Sequence, residues 1–511
     1  AVAAPAFAET LDVDSSIALA GTTSKLQQRC KLQRASSAVT MRATAKIDGE
    51  TNIPPGAPEP TGTLLGAIAL VAGTTVGAGA LALPAKTFEA GFPPSFATLL
   101  LSWAYMSATG LLIAEVNVGT LCALEKNAVS MSSMAEETLG ELGARITGLA
   151  YVFIHYTLLV AYMLQGGNLL LEYLAPAVGA GASLSTTTGP VLFTLIVGGA
   201  SFIGSDKQIE VANSLLFGGV IVTFALLLGL GVPQVNSSLL SRSDFFAVVP
   251  AIPVCILSLV YHNVVPTVCY QLGCDLNKIR TAIVVGSGIP TLMFLLWDLV
   301  VLGSVPPEAA AAAAANGAST IFDPLEGLRA SGDNFGTVVR AFSLLAVVTS
   351  FIGFIIGLVD YFADLFSEFL GIDSNSEQPS QRSDAIDFGS KSPSDGTPTP
   401  RYTFLQRSIL FAATLLPPLA ISLYDPSLFF AALDNAGVFG CLVLFGIIPA
   451  AMAWQQRYGI GADSGTGSSS ENPAVPAILP GGQPVLALIA GGAGVIIALE
   501  IYERITTSAF A

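Results

Sequence analysis

The sequence predicts an all-α polytopic membrane protein of about eleven transmembrane helices, built as two inverted five-helix halves in which the first and sixth helices are broken. Three observations predict it. Hydrophobic residues make up 52% and charged residues only 11% of the 511 positions, whereas a globular chain carries about 25% charge to clothe its surface. Apolar runs of span length recur between polar or Pro/Gly breaks. Two of those runs, five spans apart, carry helix-weakening residues at their centres. The missing charge is read as lipid-facing surface, where charge is needed only in loops.

A helix needs about 20 apolar residues to cross the hydrocarbon core. Runs of that kind cover approximately 62–85, 94–117, 146–172, 188–205, 209–232, 245–270, 281–303, 335–360, 403–423, 427–453 and 484–503. Only Ser205-Asp206-Lys207-Gln208 separates the fourth from the fifth, and only Tyr424-Asp425-Pro426 the ninth from the tenth, so tight helical hairpins are expected there. A membrane domain over 61–510 then divides into one repeat at 62–232, a second at 245–453 and an extra helix at 484–503. Lys126, Arg145, Lys207, Lys278, Arg280, Arg382, Lys391, Arg401, Arg407 and Arg457 collect on the side of the N-terminus, against Lys86, Arg242, Arg329, Arg340 and Arg504 opposite. Positive charge favours the inner face, which predicts an N-inside, C-outside chain.

Residues 1–60 precede the first span. From Thr22 to Ile47 they hold Lys25, Arg29, Lys31, Arg34, Arg42 and Lys46 and no acid, punctuated by Ser and Thr. That composition suits an organellar transit peptide, for a plastid envelope first, with the N-terminus on the stromal side. A disordered tail is the alternative. Residues 371–400 are rich in Ser, Asp and Pro and are expected to be a disordered inner loop, with too little apolar surface to offset ordering entropy. A net charge of −15 argues against a nucleic-acid partner. Cys30, Cys122, Cys255, Cys269, Cys274 and Cys441 lack the paired spacing of a zinc site or disulfide framework and read as small core residues.

The chemistry concentrates at the two breaks. The first span runs Gly73-Thr74-Thr75-Val76-Gly77-Ala78-Gly79 at its centre. Closely spaced glycines lower the cost of unwinding mid-membrane, and unwound backbone is tolerated there where it lines a cavity or a ligand. Peptide N–H groups freed at a half-helix N-terminus suit a carboxylate. Close helix packing through Gly73 and Gly77 explains the same spacing. The sixth span carries Tyr261-His262-Asn263-Val264-Val265-Pro266 after Pro250 and Pro253. A pair of interrupted helices in corresponding positions points to a site between the halves, near the bilayer midplane.

These residues resemble the tryptophan/tyrosine permeases of the amino acid, polyamine and organocation superfamily, over about residues 62–500. The most specific block is Tyr261 to Pro266, continuing through Asp275, Lys278 and Arg280 into Ala282-Ile283-Val284-Val285-Gly286-Ser287-Gly288-Ile289-Pro290 and Trp297. A second is Thr349-Ser350-Phe351-Ile352-Gly353 with Gly357-Leu358-Val359-Asp360, and further matches are Gly73 to Gly79, Tyr162 to Gly167, Pro417-Pro418, Ala436-Gly437, Pro449 and Arg457. The resemblance implies the leucine-transporter fold, aromatic amino acid cargo such as tyrosine or tryptophan, and proton-coupled symport by alternating access. The long Ser-rich insertion, the N-terminal extension and Asp298 depart from the pattern.

On this reading Gly73 to Gly79, Tyr162, Gln165, Tyr261, His262 and Asn263 line the substrate site. His155 and His262 are the only histidines and both fall inside spans, where an ionisable group is expensive and marks a pathway by default. A packing hydrogen bond, for His262 to the first span, is the alternative. Glu115 is a gating or proton-relay candidate, or an anchoring ion pair. Thr349 and Ser350 either hold a weak sodium site, since hydroxyl and carbonyl oxygens suit a hard cation, or stabilise a contact between the first and eighth spans. Asp360 marks the inner interface. No cofactor is expected. The competing functions are a sodium-coupled or uncoupled carrier of other neutral amino acids and a structural subunit of a membrane complex. An enzyme is disfavoured, because no span pairs His, Asp or Cys at metal-ligand or nucleophile spacing.

Overall fold

Each expected apolar run coincides with helix. The computed structural model describes residues 60–77, 79–124, 129–178, 187–315, 322–330, 334–370, 402–425, 427–459 and 475–510. The expected transit segment up to residue 59, Ala78 in the first break and the 371–400 loop lie outside the described residues. Every regular element among those described is helical, and they belong to one unit, Ala57–Ala511.

Among the described residues nine helices are long and apolar enough to cross a membrane, and the bent pair Leu64–Thr75 and Gly79–Thr87, taken as one span, makes a tenth. Of the about eleven runs expected, one falls short of span length. The fourth, Thr188–Ile203, is shorter and contains a π turn at Thr194–Gly198. Its run is apolar to the end, but Gly204 turns to extended backbone and Arg407 of the ninth span caps the exposed carbonyls of Ser201 and Gly204 at 3.0 and 2.7 Å. Helix ends need such partners wherever water cannot supply them. Ser205 and Gln208 then start the fifth span, Asp206–Gly231, with a reciprocal capping box, so the expected hairpin is built from a stop and a start. In the third span, Met131–Val178, Gly140 has φ 77°, which an L side chain adopts only at a cost, and the helix kinks there before the expected run begins.

Both predicted breaks are present. The first span starts at Thr63, whose hydroxyl accepts from the Gly66 N–H at 3.1 Å, and stops at Val76, with ψ 104°. It resumes at Gly79 on an axis bent by 56°. The sixth span is one apolar passage, Val249–Gln271, in which the α-helix Ile252–Ser258 ends and Tyr261 leaves helical geometry at φ −142°, ψ 3°. A 3₁₀ turn at His262–Val264 leads into Val265–Gln271, with Pro266 near its start, where a missing N–H costs nothing.

The inverted repeat shows in which helices pack on which. The first span lies on the seventh, as the sixth lies on the second. Likewise the eighth packs on the fifth as the third does on the tenth, and the third on the fourth as the eighth does on the ninth. Exchanging spans one to five for six to ten turns each of these pairs into its counterpart. The tenth span, Phe429–Tyr458, is the most enclosed, while the fifth, ninth and eleventh turn most of their surface outward. Leu215 and Leu488, each more than two-thirds exposed, belong to those outward faces and suit lipid.

Candidate functional site

The backbone break of the first span lies against the eighth span. A side chain on Gly77 would place its Cβ 2.6 Å from Ser350 Oγ. One on Gly79 would meet Ser258 of the sixth span, 2.8 Å from Oγ and 2.9 Å from Cα. Glycine at these two positions is therefore what lets three helices meet at the break. Gly73, a turn earlier, faces Phe217 of the fifth span with room for a Cβ. Thr74 and Thr75 donate to the carbonyls of Leu70 and Val71 at 2.8 and 2.9 Å, which leaves only their lone pairs for another ligand.

Ser350 is shared. The Tyr162 hydroxyl of the third span is hydrogen-bonded to its side chain, and the Tyr162 ring stands edge-on to Phe354, 5.6 Å between centroids. Ser350, Phe354 and Gly357 fall on one face of the eighth helix at i, i+4 and i+7. Facing them on the third helix are Tyr162, His155 and Tyr151. The His155 ring packs at a tilt 4.9 Å from Phe354 and 4.0 Å from Tyr151, and Nδ1 pairs with the Tyr151 carbonyl at 2.8 Å. It continues the seam one layer from the break. Asp360 accepts from Tyr402 at 3.4 Å further along the same helix. Gln165 is buried one turn beyond Tyr162. Thr349 donates to its own helix, at 3.0 Å to Leu345 and 3.1 Å to Ala346.

The sixth-span residues divide. Tyr261 is wholly buried, donates to the Met106 carbonyl of the second span at 3.0 Å and bonds with Ser107 and Ser287. Trp103 donates to the same Ser287 at 3.0 Å. Tyr261 thus fixes the break from behind instead of lining it. His262 is also wholly buried, stacked between Tyr261 and Phe445 at 4.7 and 4.8 Å. Its Nε2 bonds to Thr109 of the second span at 2.8 Å, where a bond to the first was the alternative expected, and among the described residues its Nδ1 has no partner. After the 3₁₀ turn the chain is rotated so that Asn263, not His262, is exposed.

Glu115 sits apart from the break. It is 2% exposed and grips Arg457 of the tenth span through both oxygens, at 2.5 and 2.7 Å. It also accepts the Ile478 N–H at 2.7 Å, while Arg280 donates to the Ile478 carbonyl at 2.7 Å. This is the anchoring arrangement, tying the second, seventh and tenth spans to the lead-in of the eleventh. Pairing and backbone donors together offset the cost of burying both charges. Two further contacts escaped the sequence reading: Lys86 at the end of the first span pairs with Asp434 of the tenth at 2.6 Å, and Phe354 bridges Tyr162 and His155. The Phe354 signal was its place four residues after Ser350; the Lys86 pair left none, its partners being 348 positions apart.

The profile of the tryptophan/tyrosine permease family matches residues 61–466, which hold both broken helices and the seam between the third and eighth spans. The chain belongs to the tryptophan/tyrosine permease family. It is an integral membrane transporter and not an enzyme. Tyrosine-specific transport system 2 of Haemophilus influenzae is 30% identical over 435 residues, 83% of this chain and 93% of that protein. A tryptophan-specific transport protein of the same organism is 28% identical over 408 residues, covering 77% and 88%. Among solved structures, MhsT in complex with L-phenylalanine superposes with a TM-score of 0.54 at 16% identity, over 86% of this chain and 98% of that one, a likeness of fold.

Proposed function

We propose that this permease carries an aromatic amino acid, tyrosine or tryptophan, in symport with a proton by alternating access. The observation that carries the reading is the end of the first half-helix at Val76 and Gly77 and the start of the second at Gly79, set against Ser350, Tyr162 and Ser258. Peptide N–H groups at the start of Gly79–Thr87, with the helix dipole behind them, suit the α-carboxylate, and carbonyls at the end of Leu64–Thr75 suit the ammonium. Phe354 and Tyr162 offer aromatic faces for a side chain. The tyrosine- and tryptophan-specific names of the relatives agree with that chemistry.

With the N-terminus inside, Lys86–Asp434, Arg329–Glu172 at 3.7 Å and the Phe88–Phe322 contact at 5.0 Å all close the outer end. Opening outward separates these, while Glu115–Arg457 holds the second and tenth spans together on the opposite side. The basic, acid-poor stretch from Thr22 to Ile47 supports a plastid envelope location. Counterflow of tyrosine, tryptophan, phenylalanine and leucine in proteoliposomes tests the cargo, and leucine exchanging as well as tyrosine would refute it. Imposed proton and sodium gradients test the coupling ion. A sodium-driven result would turn attention to Ser350, whose oxygen lies beside Gly77 at the end of the first half-helix, and to its neighbour Thr349.

A further inference from the structure

We propose that Asp298 is the carboxylate that carries the coupling proton, and that Thr87, on the C-terminal half of the first span, decides when the proton is held. This rests on the proton-symport reading and assigns the residue responsible for it.

Asp298 lies in the last two turns of the seventh span, Leu276–Ser304, and is 0% exposed. A carboxylate buried at such depth needs a cation or several donors to stay ionised. Among the described residues its surroundings supply neither: Arg242, just after the short helix Ser237–Leu240 that also packs on the seventh span, is taken up by the Phe88 carbonyl at 2.7 Å. On the packed half-helix Gly79–Thr87, Lys86 is engaged by Asp434 at 2.6 Å. Cys255 of the sixth span, a neutral thiol, is the titratable group that senses Asp298 from that side. Glu115 on the second span is held by Arg457, and Asp206, Lys207 and Glu210 sit at the far, N-terminal end of the fifth. Cys269 and Tyr270 belong to the second half of the sixth span, Leu64–Thr75 has no titratable side chain, and Lys278 and Arg280 are at the opposite end of Asp298's own helix.

The remaining partner is the Thr87 hydroxyl, which lies 3.0 and 3.1 Å from the two carboxyl oxygens and 2.8 Å from the Leu83 carbonyl. One hydroxyl proton faces three acceptors. Threonines inside helices give theirs to the carbonyl a turn back, and the Leu83 distance is the shortest. Thr87 Oγ1 then turns lone pairs toward a carboxylate that also has only lone pairs, unless the carboxyl bears a proton. Protonated Asp298 donates to Thr87, Thr87 donates to Leu83, and every group is satisfied. Loading adds one proton from water to a carboxylate oxygen; release returns it, and no other bond changes.

The same half-helix closes the coupling. It begins at Gly79, beside the substrate break, and ends at Thr87, beside Asp298; between them Ala80 accepts from Trp297 at 3.0 Å. When the Lys86–Asp434 pair opens and the half-helix swings out, water reaches the carboxyl; when it closes, only the protonated acid fits. Substrate and proton both favour the closed position, so each raises the affinity for the other.

The test uses the full chain in proteoliposomes with labelled tyrosine. Wild type is expected to accumulate tyrosine when the interior is alkaline. Asp298→Asn should still exchange tyrosine in counterflow yet accumulate none above equilibrium, and Asp298→Glu should recover part of the accumulation. Wild type driven by the pH gradient, with Asp298→Asn driven equally, overturns the assignment alone. Wild type indifferent to the gradient overturns the symport reading and the assignment with it. Should Asp298→Asn not fold, Thr87→Val keeps the carboxyl and removes its acceptor. The pH midpoint of accumulation should then move to more acid values, and an unmoved midpoint overturns the proposal.

Discussion

Ser350 of the eighth span occupies the space that a side chain on Gly77 would take, its Oγ standing 2.6 Å from the Cβ position. The hydroxyl can sit there because the backbone it faces has no side chain. Gly77→Ala forces the break away from the eighth span or drives Ser350 off Tyr162. Overpacking of this size costs about 1–3 kcal/mol, so tyrosine uptake should fall by roughly tenfold. The double change Gly77→Ala with Ser350→Ala should regain part of the loss, because it removes the clashing oxygen. Equal uptake in wild type and Gly77→Ala would show that the break does not need this contact.

Tyr162 contributes a ring against Phe354 and a hydroxyl to Ser350. Phenylalanine keeps the first and deletes the second. A net hydrogen bond is worth about 1 kcal/mol, so Tyr162→Phe should raise the KM for tyrosine several-fold and leave the maximal counterflow rate within about twofold. Tyr162→Leu, which also removes the ring, should do more damage. A KM unchanged in both would place the substrate elsewhere.

Both broken helices were legible in the sequence because their causes are local: Gly73, Gly77 and Gly79 in one, and the Tyr261 to Pro266 run in the other. Hydropathy located the spans for the same reason. It could not show that the fourth is short, since an apolar run records composition while the end is set by Gly204 and by Arg407 from the ninth span. What local pattern misses is direction. Whether His262 meets the first span or the second depends on a 3₁₀ turn's worth of rotation, and the structure points it at Thr109. Glu115 stands out in the sequence as a carboxylate inside a span, but its partner Arg457 is 342 positions away, a pairing that one sequence does not carry. Asp298 was visible only as a departure from the family pattern, because Thr87 reaches it across 211 positions.

Glu115 and Arg457 form a pair with side chains 3% and 6% exposed. Removing one partner of a buried pair strands the other charge and typically costs about 3–5 kcal/mol. Glu115→Ala should therefore lower the thermal midpoint of the purified protein markedly, with Arg457→Ala doing the same and the double change costing less than the sum. If Glu115 anchors, the KM for tyrosine in the surviving protein stays near the wild-type value. A normal melting temperature with lost proton dependence would instead make Glu115 a relay.

Lys86 and Asp434 hold the C-terminal half of the first span to the tenth, with side chains 9% and 21% exposed. The cation also lies 5.8 Å from the Phe430 ring, so the contact is partly desolvated and stronger than a surface pair. Breaking it should favour the outward-open form, because the competing closed form loses an interaction that the open form lacks. Gly73→Cys makes a reporter, since a Cβ there has room; the native Cys255, Cys269, Cys274 and Cys441 are buried, and the parent chain with all six native cysteines sets the background. Lys86→Ala should label several-fold faster with a membrane-impermeant thiol reagent added outside. Exchanging the charges, Lys86→Asp with Asp434→Lys, should return the rate toward that of the parent, whereas equal labelling in all three would mean that this pair does not hold the outer end shut.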